Sequence, residues 1–399
     1  MLTRQGWVVA AGAVALVAGG RVLGRPELFA IGLVVGLLLA AAALLVRTAR
    51  LDLEVGRSIH PTAVHVGTPT RVELSLRNQR WGPTPVLRLR DAVTGTRGAD
   101  LMVAPLSAGE RAVAAYRLPT DRRGLVAVGP LEVVVEDPYG LARVATVASP
   151  QVTVTVLPRV DRVPPLPYTT GHDPQAGVRQ PNSLGRTGED FYALRPYVVG
   201  DDLRRVHWPS SARHDELLVR QNELPWQGRT TVLLDVRSSA HAGDSLEVAV
   251  SVAASVVAAA ARRRDLVRLV TTAGADSGFG SGNDHVEAIM EHLAVVPTSS
   301  SASLRATADR LVRDSNGGAL VAVVAEVPGE DLRALAGLRG RYGSVTPVVV
   351  DRSAWDPGAP VGAAPPLPVV HVTRTKPFPE AWGAHLRFVG VRRPVRVAP

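Results

Sequence analysis

The stretch RTTVLLDVRSS, residues 229–239, decides the fold of the C-terminal half of the chain, because an apolar strand here ends in an acidic residue, Asp235. A continuous apolar run without alternation is typical of a strand buried on both faces, as in a parallel sheet. The alanine- and valine-rich segment 247–263 follows and is long enough for a helix, and 266–272 is a second apolar strand. This order predicts an α/β fold.

The same alternation of strand and helix continues to residue 352. Buried parallel strands that alternate with helices predict an open, doubly wound sheet over 229–352. In such sheets the carboxyl ends of the strands form the ligand site, and Asp235 lies at one of them. The further predicted elements are strands at 319–325 and 344–350 and helices at 283–294, 303–313 and 330–341.

The segment before this module, 159–228, is predicted to be a linker that leads into a charged stretch. Residues 164–181 are rich in proline and glycine, which favours an irregular path. From Arg186 to Glu223 there are six arginines and seven acidic residues. Mixed signs argue against a nucleic-acid track, which needs one sign to neutralise many phosphates. They favour a network of ion pairs in which arginine binds carboxylates with its planar fork.

A catalytic interpretation of this charged stretch is the second hypothesis for function. Glu189, Asp201 and His207 could act as acids or bases in a hydrolase or transferase. The sequence supplies no nucleophile or substrate pocket beside them.

Residues 52–158 are predicted to form a small antiparallel β-sandwich. Residues 71–78 alternate polar and apolar side chains with a period of two, so one face of the strand is buried and the other solvated. Residues 131–135 and 152–156 are further β-branched runs, and turn signals separate the runs. No cluster of acidic residues or histidines indicates catalysis, which favours a spacer or a protein-binding module.

The first 51 residues are predicted to be a two-helix membrane anchor. Uncharged runs at about 6–23 and 28–46 approach the 20 or so helical residues that cross a bilayer core of about 30 Å. A signal peptide is the alternative for the first run, since Arg4 precedes an apolar stretch. A cleaved signal peptide would be followed by the polar N-terminus of the mature protein. Here a second and more apolar segment follows, which favours the hairpin.

Arginine positions favour an orientation with both ends of the hairpin, and therefore the body, in the cytoplasm. Arg21 and Arg25 lie in the turn and are offset by Glu27. The flanking arginines outside the hairpin are Arg4 before it and Arg47, Arg50 and Arg57 after it.

The composition excludes several chemistries. The 399 residues include no cysteine, which rules out disulfides, a thiol nucleophile, iron–sulfur clusters and thiolate zinc sites. Lys376 is the single lysine and does not follow a glycine-rich loop, so no phosphate-binding loop of the Gly-Lys-Ser/Thr type is present. Residues 353–399 are predicted to be a proline-rich connection and a basic C-terminal tail.

The charged stretch contains a Gly-Glu…Phe…Leu-Arg…Tyr run followed by Gly-Asp, Arg, Trp and Ala-Arg. The positions of this pattern are Gly188, Glu189, Phe191, Leu194, Arg195, Tyr197, Gly200, Asp201, Arg204, Trp208, Ala212 and Arg213. The pattern resembles the signature of the domain-of-unknown-function 58 family. Upstream, Arg123-Gly124 and residues 137–141 resemble the β-module of the same family.

This resemblance implies a von Willebrand factor A-like domain after the signature and a MoxR-type AAA+ ATPase as partner. The implied role is a membrane-tethered adaptor in envelope or protein-complex maturation, with the signature residues as partner-binding positions. Our leading hypothesis is that this adaptor is not an enzyme. We expect no nucleic acid and identify no small-molecule substrate.

The metal-dependent adhesion site of A-type domains is only partly matched. Such a site needs Asp-x-Ser-x-Ser, whose oxygens coordinate Mg²⁺. Asp235 and Ser239 match, but Arg237 stands in the position of the first serine. A guanidinium has no lone pair to donate, and its charge opposes that of a cation. We therefore expect no cofactor, with Arg237 pairing with Asp235 in place of the metal.

Overall fold

The chain divides into two compact units, residues 1–157 and 158–399. The computed structural model describes residues 2–48, 51–60, 64–167, 191–197, 206–214, 216–222, 228–314, 317–325, 329–356, 358 and 369–391.

The N-terminal unit begins with a helical hairpin formed by α1 (Arg4–Val22) and α2 (Pro26–Thr48). Glycine allows the two helices to pack closely, since a Cβ on Gly32 would lie only 2.8 Å from the backbone nitrogen of Val17. Both helices are long and apolar enough to span a membrane. This finding agrees with the predicted membrane anchor.

The remainder of this unit is rich in β-structure, and its strands form two sheets. One sheet has the order β1-β3-β6, and the other has the order β2-β9-β7-β4-β5 with β8 also paired to β7. The described strands are β1 (Leu53–His60), β2 (Val64–His65), β3 (Thr70–Asn78), β4 (Leu87–Val93), β5 (Ala99–Val103), β6 (Arg111–Leu118), β7 (Gly124–Glu136), β8 (Arg143–Ser149) and β9 (Val152–Leu157).

Alternate residues of the two sheets pack into one core, as the period-two pattern predicts. Val72, Leu74 and Leu76 of β3 lie in the same buried cluster as Leu89 of β4 and Val133 of β7. The antiparallel prediction fails at one edge, where β2 pairs with β9 in parallel. There the chain has crossed from one sheet to the other and adds a strand of two residues.

A buried polar group links the two sheets. Asp91 of β4 accepts a hydrogen bond of 2.6 Å from the hydroxyl of Tyr116 in β6, and it pairs at 3.1 Å with Nη1 of Arg57 in β1. Burial, followed by the hydrogen bond to Asp91, raises the pKa of Tyr116 far above its usual value. The phenol therefore remains a donor, and Asp91 keeps both partners.

The C-terminal unit holds a parallel sheet of five strands with the order β13-β12-β14-β15-β16, together with a separate antiparallel pair, β10 and β11. Its described strands are β10 (Phe191–Pro196), β11 (Leu218–Asn222), β12 (Arg229–Leu234), β13 (Leu266–Thr271), β14 (Ala319–Val324), β15 (Ser344–Val350) and β16 (Val370–Val372). Its described α-helices are α3 (Trp208–His214), α4 (Ser245–Arg262), α5 (Asn283–Val295), α6 (Leu304–Arg313), α7 (Gly329–Gly337) and α8 (Phe378–Val391).

Helices cover the parallel sheet. Leu233, Leu320 and Ala322 of the sheet pack in one buried cluster with Leu304 of α6 and Leu335 of α7. Helix α4 contacts strands β12 to β15. It is long and apolar enough to cross a membrane, but most of its apolar window is buried within the protein. Packing against the sheet therefore accounts for the apolar residues of this helix.

The sheet order places a topological switch between β12 and β14. The chain passes from β12 to β13 on one side and then returns to β14 on the other. In open α/β sheets the crevice at such a switch, outside the carboxyl ends of the strands, is where ligands bind. Asp235 directly follows β12 at this point.

Two elements lie in the segment 353–399 that the sequence assigned to a connection and a basic tail. Val370–Val372 forms the edge strand β16, and Phe378–Val391 forms α8. A strand of three residues is too short to give a periodic signal. The helix buries Phe378, Ala381 and Trp382, whose spacing of three and four is that of a helical face.

Candidate functional site

Asp235 is held at the switch point by both neighbouring strands. Its side chain is fully buried, and its backbone N–H donates to the carbonyl of Val323 in β14 over 2.9 Å. Thr272, directly after β13, donates its hydroxyl to Asp235 Oδ1 at 3.2 Å and accepts from the N–H of Val236 at 2.8 Å. The carboxylate is thus fixed between β13 and β14.

Arg237 fills the space in front of this carboxylate. Its Nε lies 3.0 Å from each oxygen of Asp235, and its Nη2 lies 2.8 Å from Oδ2. Its Nη1 donates to Oδ2 of Asp331, in the first turn of α7, over 2.7 Å. Burial lowers the pKa of Arg237, but the hydrogen bonds and charges of Asp235 and Asp331 outweigh burial and raise it. The guanidinium is therefore a permanent cation between two carboxylates.

Further contacts fix the loop that follows β12. The Arg237 and Ser299 backbones form a parallel bridge, in which the Ser299 N–H donates to the carbonyl of Val236 at 2.7 Å. Nη1 of Arg352 donates to the carbonyl of Ser239 at 2.8 Å. The side chains of Ser238 and Ser239 remain exposed. The edge thus presents two serine hydroxyls beside an internally paired arginine.

His241 supports the same loop from inside. Its Nε2 lies 2.8 Å from the carbonyl oxygen of Asp235, and its Nδ1 lies 3.1 Å from the hydroxyl of Ser245. Because a carbonyl can only accept, Nε2 carries the proton and Nδ1 accepts from Ser245. This arrangement is satisfied by the neutral ring. Burial, the largest effect, lowers the pKa of His241, although the carbonyl and charge of Asp235 oppose it.

We expect this histidine to make the protein less stable in acid. In the unfolded chain its pKa is about 6.5. As the pH falls through that value, the unfolded chain binds a proton that the folded protein resists, so stability is present above about pH 6.5 and declines below it. The difference between the denaturant midpoints at pH 8 and at pH 5 should be smaller for His241→Asn than for the wild type. His371→Asn is the control, since the side chain of His371 is exposed on β16, away from this loop. Equal pH dependence in the wild type and His241→Asn would contradict the assignment.

The donor set around Asp235 does not fit Mg²⁺ as arranged. Both carboxylate oxygens accept hydrogen bonds from Arg237, and the hydroxyl of Thr272 also donates to one of them. Ser239 has an exposed side chain, and its carbonyl is taken by Arg352. Within the part of the chain that the structure describes, no three His, Asp or Glu side chains group so as to hold a metal ion.

The family-signature residues are divided between described and undescribed parts of the chain. Phe191 and Arg195 lie in β10, which pairs with β11, and the N–H of Tyr197 donates to the carbonyl of Leu217 at 2.7 Å. Trp208 and Arg213 lie on α3 with exposed side chains. Leu194 lies in β10 and Ala212 in α3. Five signature residues fall outside the described residues: Gly188, Glu189, Gly200, Asp201 and Arg204.

Of the three residues in the catalytic hypothesis, the structure describes His207. Glu189 and Asp201 lie outside the described residues. Nδ1 of His207 lies 2.8 Å from the hydroxyl of Ser210, and its backbone N–H donates to the carbonyl of Leu218 at 2.7 Å. The backbone contact connects the start of α3 to β11, and the side-chain contact lies within the first turn of α3.

Sequence reasoning found the pair of Asp235 and Arg237 but missed its partners. Thr272 follows the second strand of the sheet, so its position at the same edge could have been expected. Asp331 comes from a helix 94 positions after Arg237, and no local pattern indicates that contact. His241 and Arg352 likewise act through backbone carbonyls, which the sequence does not reveal.

Residues 193–354 match the model of a family described as "Protein of unknown function DUF58". The match supports the predicted family. It begins within the signature segment and includes strands β12 to β15 and the cluster around Asp235. No curated protein was found to match this chain.

The solved structures that are similar to this chain have low TM-scores. A CARDB domain from Pyrococcus furiosus, in complex with di-metal ions, is 19% identical over 27% of this chain and 86% of that chain, with a TM-score of 0.21. The Pseudomonas fluorescens alkylpurine DNA glycosylase AlkC is 16% identical over 38% and 44% of the two chains, with a TM-score of 0.20. A beta-glucosidase from Listeria innocua is 16% identical over 27% and 16%, with a TM-score of 0.18. TM-scores in this range do not establish a common fold.

Proposed function

We propose that this protein is a membrane-anchored, non-enzymatic adaptor whose α/β unit presents the carboxyl edge of its sheet to a protein partner. The observation that carries the proposal is the guanidinium of Arg237, which fills the switch point between Asp235 and Asp331. Where such sheets commonly open a crevice for a ligand, this one is filled by its own side chain. What remains accessible is a surface that includes Ser238 and Ser239.

In this proposal the α/β unit is a von Willebrand factor A-like domain with an altered metal site. The parallel sheet, the covering helices and an aspartate at the end of β12 support that interpretation. The guanidinium stands where Asp-x-Ser-x-Ser would hold a cation. It supplies positive charge to Asp235 and, unlike a bound metal ion, cannot dissociate into solvent. Partner binding would therefore not require Mg²⁺.

The partner that we propose is a MoxR-type AAA+ ATPase, and the role is in envelope or protein-complex maturation. The resemblance of the signature segment and the family match over residues 193–354 support this choice. The two N-terminal helices would hold the adaptor at the membrane, with the body in the cytoplasm as the flanking arginines favour.

Binding of the full-length protein in detergent to the MoxR-type ATPase of the same organism tests the proposal. We expect a complex in at least one nucleotide state. Ser239→Trp should weaken the complex at least tenfold, because it places a bulky side chain on the exposed carboxyl edge. Arg341→Trp is the matched control, since Arg341 is exposed and precedes β15 at the opposite edge.

Two results would count against the adaptor. One is the absence of binding in every nucleotide state. The other is equal weakening by Ser239→Trp and Arg341→Trp, which would remove the carboxyl edge from the interface.

A further inference from the structure

Strands β1 to β9 (residues 53–157) form a β-module, and both ends of the helical hairpin contact one turn of it, residues 137–142. The N–H of Thr3 donates to the carbonyl of Leu141 at 2.9 Å, and its hydroxyl donates to the carbonyl of Gly140 at 2.6 Å. Val46, in the last turn of α2, is buried in one cluster with Leu141 and Ala142. The β-module therefore begins directly at the ends of the helices.

Hydrogen bonds of Asp137 close this turn. Asp137 accepts the N–H of Tyr139 at 2.9 Å on its Oδ1, and its backbone N–H donates to the carbonyl of Ala142 at 3.1 Å. Tyr139, between these contacts, is exposed. An aromatic ring with a polar tip is thus held beside the hairpin.

The length of α2 places its last turn at the surface of a bilayer. Its 23 residues span about 34 Å at 1.5 Å per residue, slightly more than a hydrocarbon core of about 30 Å. If the helix crosses the membrane, Leu45 to Thr48 lie at the boundary between acyl chains and headgroups.

A groove of about 720 Å³ opens at this depth, between the last turn of α2 and the β-module. Met102 and Val86 are exposed there, by 76% and 46%. Arg88 is also part of the lining, but it pairs with Asp100 at 2.6 Å and lies 3.7 Å from Glu136, so its charge is balanced locally. The groove is lined mostly by apolar side chains, including Leu45, Val46, Val86, Met102 and Val134.

A fully exposed tryptophan lies at the same end of the module. Asn78, which is completely buried, donates to the carbonyls of Gly82 and Leu106 at 2.8 and 3.0 Å. It thereby fixes the turn in which Trp81 is 100% exposed. The preceding Gln79 donates its N–H to the carbonyl of Asp52. Asp52 is four residues beyond the end of α2. Four residues of extended chain span at most about 14 Å, so the turn with Trp81 lies near the end of the helix.

We infer that this end of the β-module lies in the headgroup layer of the bilayer, with Trp81, Val86 and Met102 in contact with phospholipid. The groove is continuous with a helix that is apolar enough to span the membrane, so lipid is its nearest neighbour. Tryptophan and tyrosine favour this boundary, where one end of the ring is apolar and the other is wet. The local charge balance around Arg88 requires no anionic lipid, so a zwitterionic phospholipid is sufficient.

Spin labels in the full-length protein test this contact, and the absence of cysteine makes single-cysteine variants direct. Trp81→Cys and Met102→Cys would each be labelled with a nitroxide and placed in phosphatidylcholine nanodiscs. Asp121→Cys is the control. It is exposed and follows β6, whose Leu118 pairs with Thr70 at the far end of β3 from Asn78.

We expect the labels at 81 and 102 to collide with oxygen more often, and with a water-soluble nickel chelate several-fold less often, than the label at 121. Equal collision ratios at all three positions would overturn the inference and would leave the patch facing water, as a surface for a protein. Because both side chains are exposed, neither variant removes core packing, and circular dichroism of each variant checks that it is folded.

Discussion

Arg237→Ala is expected to lower the free energy of unfolding of the α/β unit by about 3–5 kcal/mol, the usual cost of leaving a buried charge without its partner. Asp235 is fully buried, and without the guanidinium its carboxylate keeps only the hydroxyl of Thr272 and a backbone N–H. Hydrogen exchange of β12 and β14 under mild denaturant measures the loss in this unit. Arg352→Ala is a milder comparison, since Arg352 is bound to the loop through a carbonyl of Ser239.

Arg237→Ser separates the role of the cation from that of packing. The variant restores the Asp-x-Ser-x-Ser pattern with Asp235 and Ser239, so we expect Mg²⁺ to stabilise it in proportion to the logarithm of the metal concentration. The wild type should show no such dependence. Arg268→Ser is the matched control, because Arg268 also pairs with an aspartate, Asp276, in the same unit but away from the switch point. Stabilisation of the wild type by Mg²⁺ would contradict the idea that Arg237 replaces the metal.

Trp382→Ala is expected to cost about 3–5 kcal/mol, as large core truncations do. Trp382 is 1% exposed, its ring centroid lies 5.3 Å from that of Phe378, and its Nε1 donates to the carbonyl of Pro164 at 2.8 Å. Loss of this side chain should release α8 and β16 from the sheet, which hydrogen exchange of both elements would show.

The control for this substitution is Phe388→Ala on the same helix. Phe388 is 54% exposed, so its truncation should change stability by much less than that of Trp382. Equally small effects of the two substitutions would mean that α8 contributes little to the stability of the C-terminal unit.

Periodic elements were predictable from the sequence, and short or distant ones were not. Strand β3 was evident because half of its residues face a core and half face solvent. Strand β12 was evident because both of its faces are covered. Strand β16 has three residues, which give no period, and its place at the sheet edge depends on pairing with β15. Helix α8 was obscured because prolines lie at its start and arginines follow directly after it.

The candidate site shows the same limit. Asp235 was predictable because a parallel strand delivers its next residue to the carboxyl edge of the sheet, and Arg237 follows two residues later. The contact with Asp331 depends on how α7 closes over that edge. Such contacts are made by tertiary packing, which no short stretch of sequence encodes.

The attachment of Thr3 to Leu141 also couples the two ends of the anchor to the body. In a hairpin whose first residues and last turn both meet the β-module, the N-terminus and the body must occupy the same side of the membrane. If the hairpin were inserted in the opposite orientation, the N-terminus and the β-module would both lie on the other side of the membrane. A small reporter fused to the N-terminus would therefore also reveal the compartment that holds the β-module.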